Sequence, residues 1–170
     1  MANVWFISDI HAGHKNIHKF RPQFETEEEH YQTVKENYHS VVTKRDKVFF
    51  LGDIAFTQEH LVDIGHWTAE RKVLIVGNHC TDKIPMSEVV KHFDEVYSLY
   101  KYKSFWLSHA PIHPNELRGK YNLHGHVHYA TIDDPRYFNC CLENTDFKPI
   151  DLNAIRNRLG ITQEKDIGTT

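Results

Sequence analysis

A one-domain α/β fold is what the sequence predicts, and three observations predict it. Through the first hundred residues, short apolar runs alternate with segments of helical period; later apolar runs follow one another with little helix between them. Each of the first three runs stops abruptly at a polar residue. Alternation of this kind implies parallel strands joined by right-handed crossovers, and closely spaced runs imply antiparallel pairing in the second half. A length of 170 residues suits one domain. A chain of that size buries about two-thirds of its unfolded surface, so it needs no disulfide staple. The expected domain covers residues 1–160, and residues 161–170 form a polar, mobile tail.

The elements follow in order. Val4-Trp5-Phe6-Ile7 reads as a buried strand feeding a loop at Ser8-Asp9. Glu25 to Val42 reads as a helix: Thr26 and Glu29 have capping-box spacing, and Tyr31, Val34, Tyr38 and Val41 recur on one face. Lys47 to Leu51 is a second strand, broken by Gly52-Asp53, and Gln58 to Glu70 a second helix with Leu61, Ile64 and Trp67 inward. Lys72 to Val76 is a third strand, ending at Gly77-Asn78-His79, with a short helix from Met86 to Phe93. Strands are then expected at Val96 to Tyr102, Phe105 to Ser108, Asn122 to His124 and Tyr137 to Leu142. A last helix, Asp151 to Leu159, is capped by Asp151.

Composition narrows the function. Twenty basic against 23 acidic residues leave a formal charge of −3, which provides no broad basic surface for a nucleic-acid backbone. A nucleotide or phosphodiester held locally remains compatible. Cys80, Cys140 and Cys141 form neither a Cys-x-x-Cys pair nor an even framework, and read as reduced, packed thiols. The first residues reach Asp9 before a signal-like apolar region forms, and no segment approaches the ~20 apolar residues of a membrane span. A cytoplasmic location is therefore expected. Fourteen histidines are many for this length. His30, His39, His60, His66 and His92 fall on the expected helices and read as surface or packing residues.

Position identifies the others. The first three strands end in Asp9-Ile10-His11, Gly52-Asp53 and Gly77-Asn78-His79, and ligands of open α/β sheets bind beyond the carboxyl ends of strands. Asp9 and His11, two apart on an extended segment, would point the same way. His109 follows the strand at Ser108, and His124-Gly125-His126-Val127-His128 would put His126 and His128 on one face if extended. Taken singly, a strand-terminal Asp or an Asn in a turn says little. Together they point to a metal site.

This set, D-x-H, G-D, G-N-H, H and G-H-x-H from Asp9 to His128, resembles the calcineurin-like metallophosphoesterase superfamily. The stretch Ser8 to Ile17, with Phe20-Arg21-Pro22 and Phe147-Lys148-Pro149-Ile150, is similar to a compact phage and bacterial branch. The resemblance implies a sandwich of two mixed β-sheets flanked by helices. It also implies two metal ions, one between Asp9, His11, Asp53 and His128, the other between Asp53, Asn78, His109 and His126, with Asp53 shared. Imidazoles with carboxylates favour divalent transition metals: manganese first, with iron, zinc, nickel or cobalt as alternatives. Two such ions about 3.5–4 Å apart turn a bridging water into hydroxide for in-line attack on phosphorus. His79 corresponds to the residue that steadies phosphate and protonates the leaving oxygen.

The implied activity is hydrolysis of a phosphate ester, foremost a phosphodiester such as a cyclic nucleotide or short nucleic acid. The alternatives are a phosphomonoesterase acting on small esters or phosphoproteins, and a non-catalytic metal-binding interaction module. One position departs from the pattern: Cys80 stands where an acid usually follows G-N-H, and Asp82 is the candidate to replace it. In the basic loop after the first strand, His14, Asn16 and Arg21 are the candidate substrate contacts. His113 and His124 are expected to support the ligands rather than act as ligands, and Arg118 and Lys120 to be solvated.

Overall fold

A computed structural model describes residues 1–162. Among the described residues, nine strands form two sheets. The first contains β1 (Val4–Ile7), β2 (Lys47–Phe50), β3 (Arg71–Ile75), β4 (Glu95–Tyr97) and β9 (Ile150–Asp151), in the order β4-β3-β2-β1-β9. The second contains β5 (Leu99–Tyr102), β6 (Phe105–Ser108), β7 (Tyr121–His124) and β8 (Tyr137–Asn139), in chain order. Helices are α1 (Ile17–Phe20), α2 (Glu27–Val41), α3 (Gln58–Gly65), α4 (Met86–Val89) and α5 (Leu152–Leu159).

Strand alternation sorts the core into two layers. Ile7, Val48, Phe50 and Leu74 pack with Tyr31, Val34 and Tyr38 of α2 and Leu61 and Ile64 of α3. Their neighbours Phe6, Phe49, Val73 and Ile75 point the other way and meet Phe105, Leu107 and Leu123 of the second sheet. Both faces of β1 to β3 are thus buried, which is why these strands read as unbroken apolar runs.

The parallel half is as expected: β1 pairs with β2, β2 with β3 and β3 with β4, all parallel. The second half differs. Only β5 and β6 are antiparallel, while β6–β7 and β7–β8 are parallel. The connections 109–120 and 125–136 are long enough for parallel crossovers and contain no α-helix to announce them. The expected strand from Val96 to Tyr102 is two strands, divided at Ser98, where the chain leaves the edge of one sheet for the edge of the other. β9, antiparallel to β1, is an unexpected short strand made of the last residue of the Phe147–Ile150 stretch and the helix-capping Asp151.

Local signals set most helix ends. Thr26 Oγ1 accepts the Glu29 N–H at 3.1 Å, although the Glu29 carboxylate takes the Glu25 N–H rather than that of Thr26. Asp151 caps α5, accepting from the Asn153 and Ala154 N–H groups. α3 stops at Gly65, short of Glu70; Trp67, past its end, is buried with its indole N–H on Asp63. At the other end of α5, Gly160 adopts φ +65° and Ile161 turns back into the inter-sheet core. Ile161, the first residue of the expected tail, is thus packed, and residues 163–170 of that tail fall outside the described residues.

Phe49 lies at the centre of the inter-sheet layer, fully buried, 5.3 Å from the Phe6 ring and 4.9 Å from that of Tyr102. Phe49→Ala should destabilise the fold by about 3–5 kcal/mol through lost contacts and a residual cavity. Urea unfolding of ion-free protein checks this through a lower midpoint at unchanged slope.

Candidate metal centre

The parallel register makes the first three strands end level, with Ile7 opposite Phe50 and Phe50 opposite Leu74. The loops beyond continue the ladder: Asp9 N–H donates to Gly52 O, His11 N–H to Asp53 O and Ala12 N–H to Ile54 O. Asp9, Asp53 and Asn78 therefore emerge along one edge. The second sheet adds His109 after β6 and Gly125 to His128 after β7, two loops tied by Gly125 N–H to His109 O at 2.8 Å.

The side chains converge as two groups. Potential ligand atoms of Asp9, His11 and His128 lie within 4.8 Å of one another, and so do those of Asp53, His109 and His126. His11 Nε2 is 3.4 Å from Asp9 Oδ1, and His128 Nε2 is 3.7 Å from the same oxygen. In the second group, His109 Nε2 is 2.9 Å from Asn78 Oδ1 and 3.2 Å from His126 Nδ1. Asp53 joins the two: its Oδ2 is 3.2 Å from His109 Nε2 and 3.8 Å from His11 Nε2, while its Oδ1 accepts the His79 N–H at 2.8 Å. His79 itself is not among these groups. Its Nδ1 meets Asp82 Oδ2 at 2.5 Å, and its ring centroid is 6.0 Å from that of His11.

The backbone is unusual where the ligand candidates sit. Asp9, His11, Asp53, His126 and His128 all have φ between 49° and 71°. Asp9–His11 and His126–His128 are thus not the extended pairs expected. Left-handed backbone at non-glycine residues is costly and concentrates at functional sites. Glycines supply the remaining space. Gly52 has φ +95°, and a Cβ there would stand 2.4 Å from His109 Nδ1; a Cβ on Gly125 would meet Ser8 Oγ at 1.9 Å and Asp9 Oδ2 at 2.3 Å.

Electrostatics favour cations. Asp9 is fully buried and Asp53 nearly so, yet among the described residues no Lys or Arg side chain contacts either carboxylate. Burial pushes the Asp9 carboxyl upward, but His11, His109, the Ser8 hydroxyl and the His126 N–H outweigh it and hold it well below the usual range. Asp53 is lowered against the same opposition from burial, by His109 and the His79 N–H. Burial opposes the charged His109 imidazole, but Asp53 and Asp9 prevail and raise it; Glu143 raises His128 against burial. Carboxylates with imidazoles and one amide oxygen fit divalent transition ions.

Two supporting groups escaped the sequence reading. Glu143, in a 3-10 turn at Leu142–Asn144, keeps its side chain buried. It accepts from His128 Nδ1 at 2.8 Å and from Arg21 Nε at 2.9 Å. Burial favours the neutral acid, but these partners lower it to about 2. Cys141 Sγ donates to Asp9 Oδ2 at 3.2 Å. Nothing local in the sequence marks either, since both come from the far end of the chain.

The basic loop needs correction. Arg21 is fully buried, donating to Glu143, to Asp9 O at 2.6 Å and to Ile10 O at 3.3 Å, with His30 Nε2 2.7 Å away. It holds the ligand loop in place, and it also contributes to the lining of the cavity at the site. Burial and Arg21 together lower His30 to about 3. His14 lines the cavity at the site, whereas Asn16 is exposed before α1 and is not part of that lining. Cys80 lies beneath the loop, its Sγ accepting from the Gly77 and Asp53 N–H groups, so Asp82 holds the His79 ring instead. His113 is exposed and caps the turn at Pro114–Glu116, away from the ligands; His124 is buried, with Nδ1 on Gly125 O.

The model of the calcineurin-like phosphoesterase family matches residues 2–164. The chain belongs to the calcineurin-like phosphoesterases. Family membership implies metal-dependent hydrolysis of phosphate esters with divalent ions. Gene 66 protein of Mycobacterium phage L5 is 42% identical over 84 residues, a match covering 46% of this chain and 40% of that protein. An uncharacterized protein of Methanocaldococcus jannaschii is 29% identical over 170 residues, covering 91% of this chain and 90% of its own length. A solved protein of unknown function from Aquifex aeolicus has a TM-score of 0.73 at 26% identity, covering 92% of this chain and 99% of that chain. No helix among the described residues is long and apolar enough to cross a membrane.

Two outcomes are expected of these ligand groups. Glu143→Gln removes the charge behind His128 and should weaken ion binding about 10–100-fold, measured by competition with a chelating dye; unchanged affinity would show that Glu143 does not act through His128. Because His109 and His128 are raised in the ion-free protein, they hold protons at higher pH than free histidine and must release them to ligate. Affinity should therefore fall from about pH 8 to pH 6, with proton release on binding. Calorimetry in buffers of different ionisation enthalpy reads both, and a flat affinity across this range contradicts the assignment.

Proposed function

We propose that this protein is a two-ion phosphodiesterase acting on small nucleotide-like diesters. The observation that carries the reading is Asp53, whose single oxygen Oδ2 faces His11 of one group and His109 of the other. In this proposal Asp9, His11, Asp53 and His128 hold one ion, and Asp53, Asn78, His109 and His126 the second, with manganese the first choice. When bound, such ions supply the Lewis acidity that activates water and neutralises charge on phosphoryl oxygens.

The protein's own groups do the rest. Asp82 directs His79 Nδ1 toward itself, leaving Nε2 to meet the substrate. As the water oxygen bonds to phosphorus and gives up a proton to solvent, the ester P–O bond breaks and His79 donates a proton from Nε2 to the leaving oxygen. Arg21 and Glu143 hold the Asp9–His11 loop and His128 in register. What supports a diester over a monoester dianion is the cavity lining, which among the described residues includes no lysine and one arginine that is already engaged.

Hydrolysis of p-nitrophenyl phosphate and bis(p-nitrophenyl) phosphate by chelator-stripped, manganese-reloaded protein tests this. The diester should be cleaved faster. A faster monoester overturns the diester preference, and inertness toward both overturns the enzymatic reading. His79→Ala should cost about 10²–10⁴-fold in kcat on an alkyl leaving group and clearly less on p-nitrophenolate. Asp82→Asn should follow the same pattern at smaller size. Equal losses on both leaving groups would make His79 a phosphate-positioning residue.

A further inference from the structure

Resting on the phosphodiesterase reading, we infer that the cavity beside the first ligand group seats a nucleobase against Phe20 and Tyr129. The cavity has a volume of about 350 Å³, and His11, His79 and His128 form the part nearest the ligands. Ile17, Phe20 and Tyr129 form the rest of its apolar wall. A ring bound there is joined directly to the place where its phosphate would react. The volume falls at the small end of ligand sites, enough for one nucleoside.

The two aromatic residues are independent contributions. Phe20 ends α1, in the loop after β1, and Tyr129 follows His128 in the loop after β7. They are 66% and 58% exposed, so neither ring is explained by the core. Scattered exposed apolar side chains are ordinary, but two large rings from separate sheets on the rim of one apolar cavity form a patch with a purpose. Phe20 is also braced: the His14 ring stands edge-on to it at 5.9 Å and edge-on to Phe56 at 5.0 Å. A braced, exposed ring is a stacking platform, and every base offers it a π-face.

Charge selects a short occupant. A long strand needs a cationic track, whereas the chain carries −3 and the one arginine that lines the cavity among the described residues is engaged. The class that fits is a single nucleoside phosphodiester or the terminal nucleotide of a strand.

Both side chains project from the surface, so Phe20→Ala, Tyr129→Ala and the double variant should fold normally, which circular dichroism verifies. Thymidine 5′-monophosphate, ethyl phosphate and octyl phosphate are titrated calorimetrically into manganese-loaded protein. The nucleotide should bind at least tenfold tighter than ethyl phosphate in the parent, and this advantage should fall to within about twofold in the double variant. No advantage in the parent, or one that survives in the double variant, overturns the base seat. Octyl phosphate binding as tightly as the nucleotide also overturns it, in favour of a general apolar seat. Hydrolysis of bis(p-nitrophenyl) phosphate by the parent reports separately on the enzymatic reading, so that reading can fail while the base seat stands, and the reverse.

Discussion

Two buried carboxylates, Asp9 and Asp53, held side by side at the ends of adjacent parallel strands, are the constraint to which the rest of the site answers. Burial alone would drive both toward the neutral acid. They stay ionised because the surroundings supply positive potential without a fixed cation: N–H groups of His79 and His126, the Ser8 hydroxyl, and the imidazoles of His11 and His109. A lysine in their place would neutralise the pair permanently. Imidazoles can instead give up their protons and turn the same lone pairs on a metal ion.

Backbone geometry is what this arrangement costs. Five ligand candidates occupy the left-handed region, and holding a residue in such a sparsely populated conformation costs about 1–3 kcal/mol. The fold supports the strain through the inter-loop ladder from Asp9 to Ala12 and through glycines that let loops approach where no Cβ would fit. Stability and function therefore meet at one edge: the buried apolar layers hold the sheets rigid, and rigid sheets keep the left-handed turns from relaxing.

Around this centre, charge is relayed outward in pairs. Glu143 stands behind His128 with Arg21 behind Glu143, and Asp82 stands behind His79. Carboxylates that orient imidazoles from behind fix which nitrogen faces the site. Cys80 shows that the residue directly after Gly-Asn-His need not be that carboxylate. Two positions on, Asp82 reaches the same ring, while the thiol closes the turn beneath Asp53.

The sequence by itself determined the parallel half of the fold and the family. Unbroken apolar strands, capped helices and ligand types at strand ends are local features, written in consecutive residues such as Val4 to His11 and Lys47 to Asp53. Only the tertiary structure decided the rest, because those features depend on residues far apart in the chain. Parallel pairing of β6 with β7, the division of the Val96–Tyr102 run between two sheets, and the left-handed turns at Asp9 and His126 arise from how the sheets meet. Arg21 reads as a candidate substrate contact because its charge and its place in a basic loop are all that the neighbouring residues offer. It is buried because Glu143, 122 residues away, and the Asp9 and Ile10 carbonyls together satisfy its donors, a sum that no local pattern encodes.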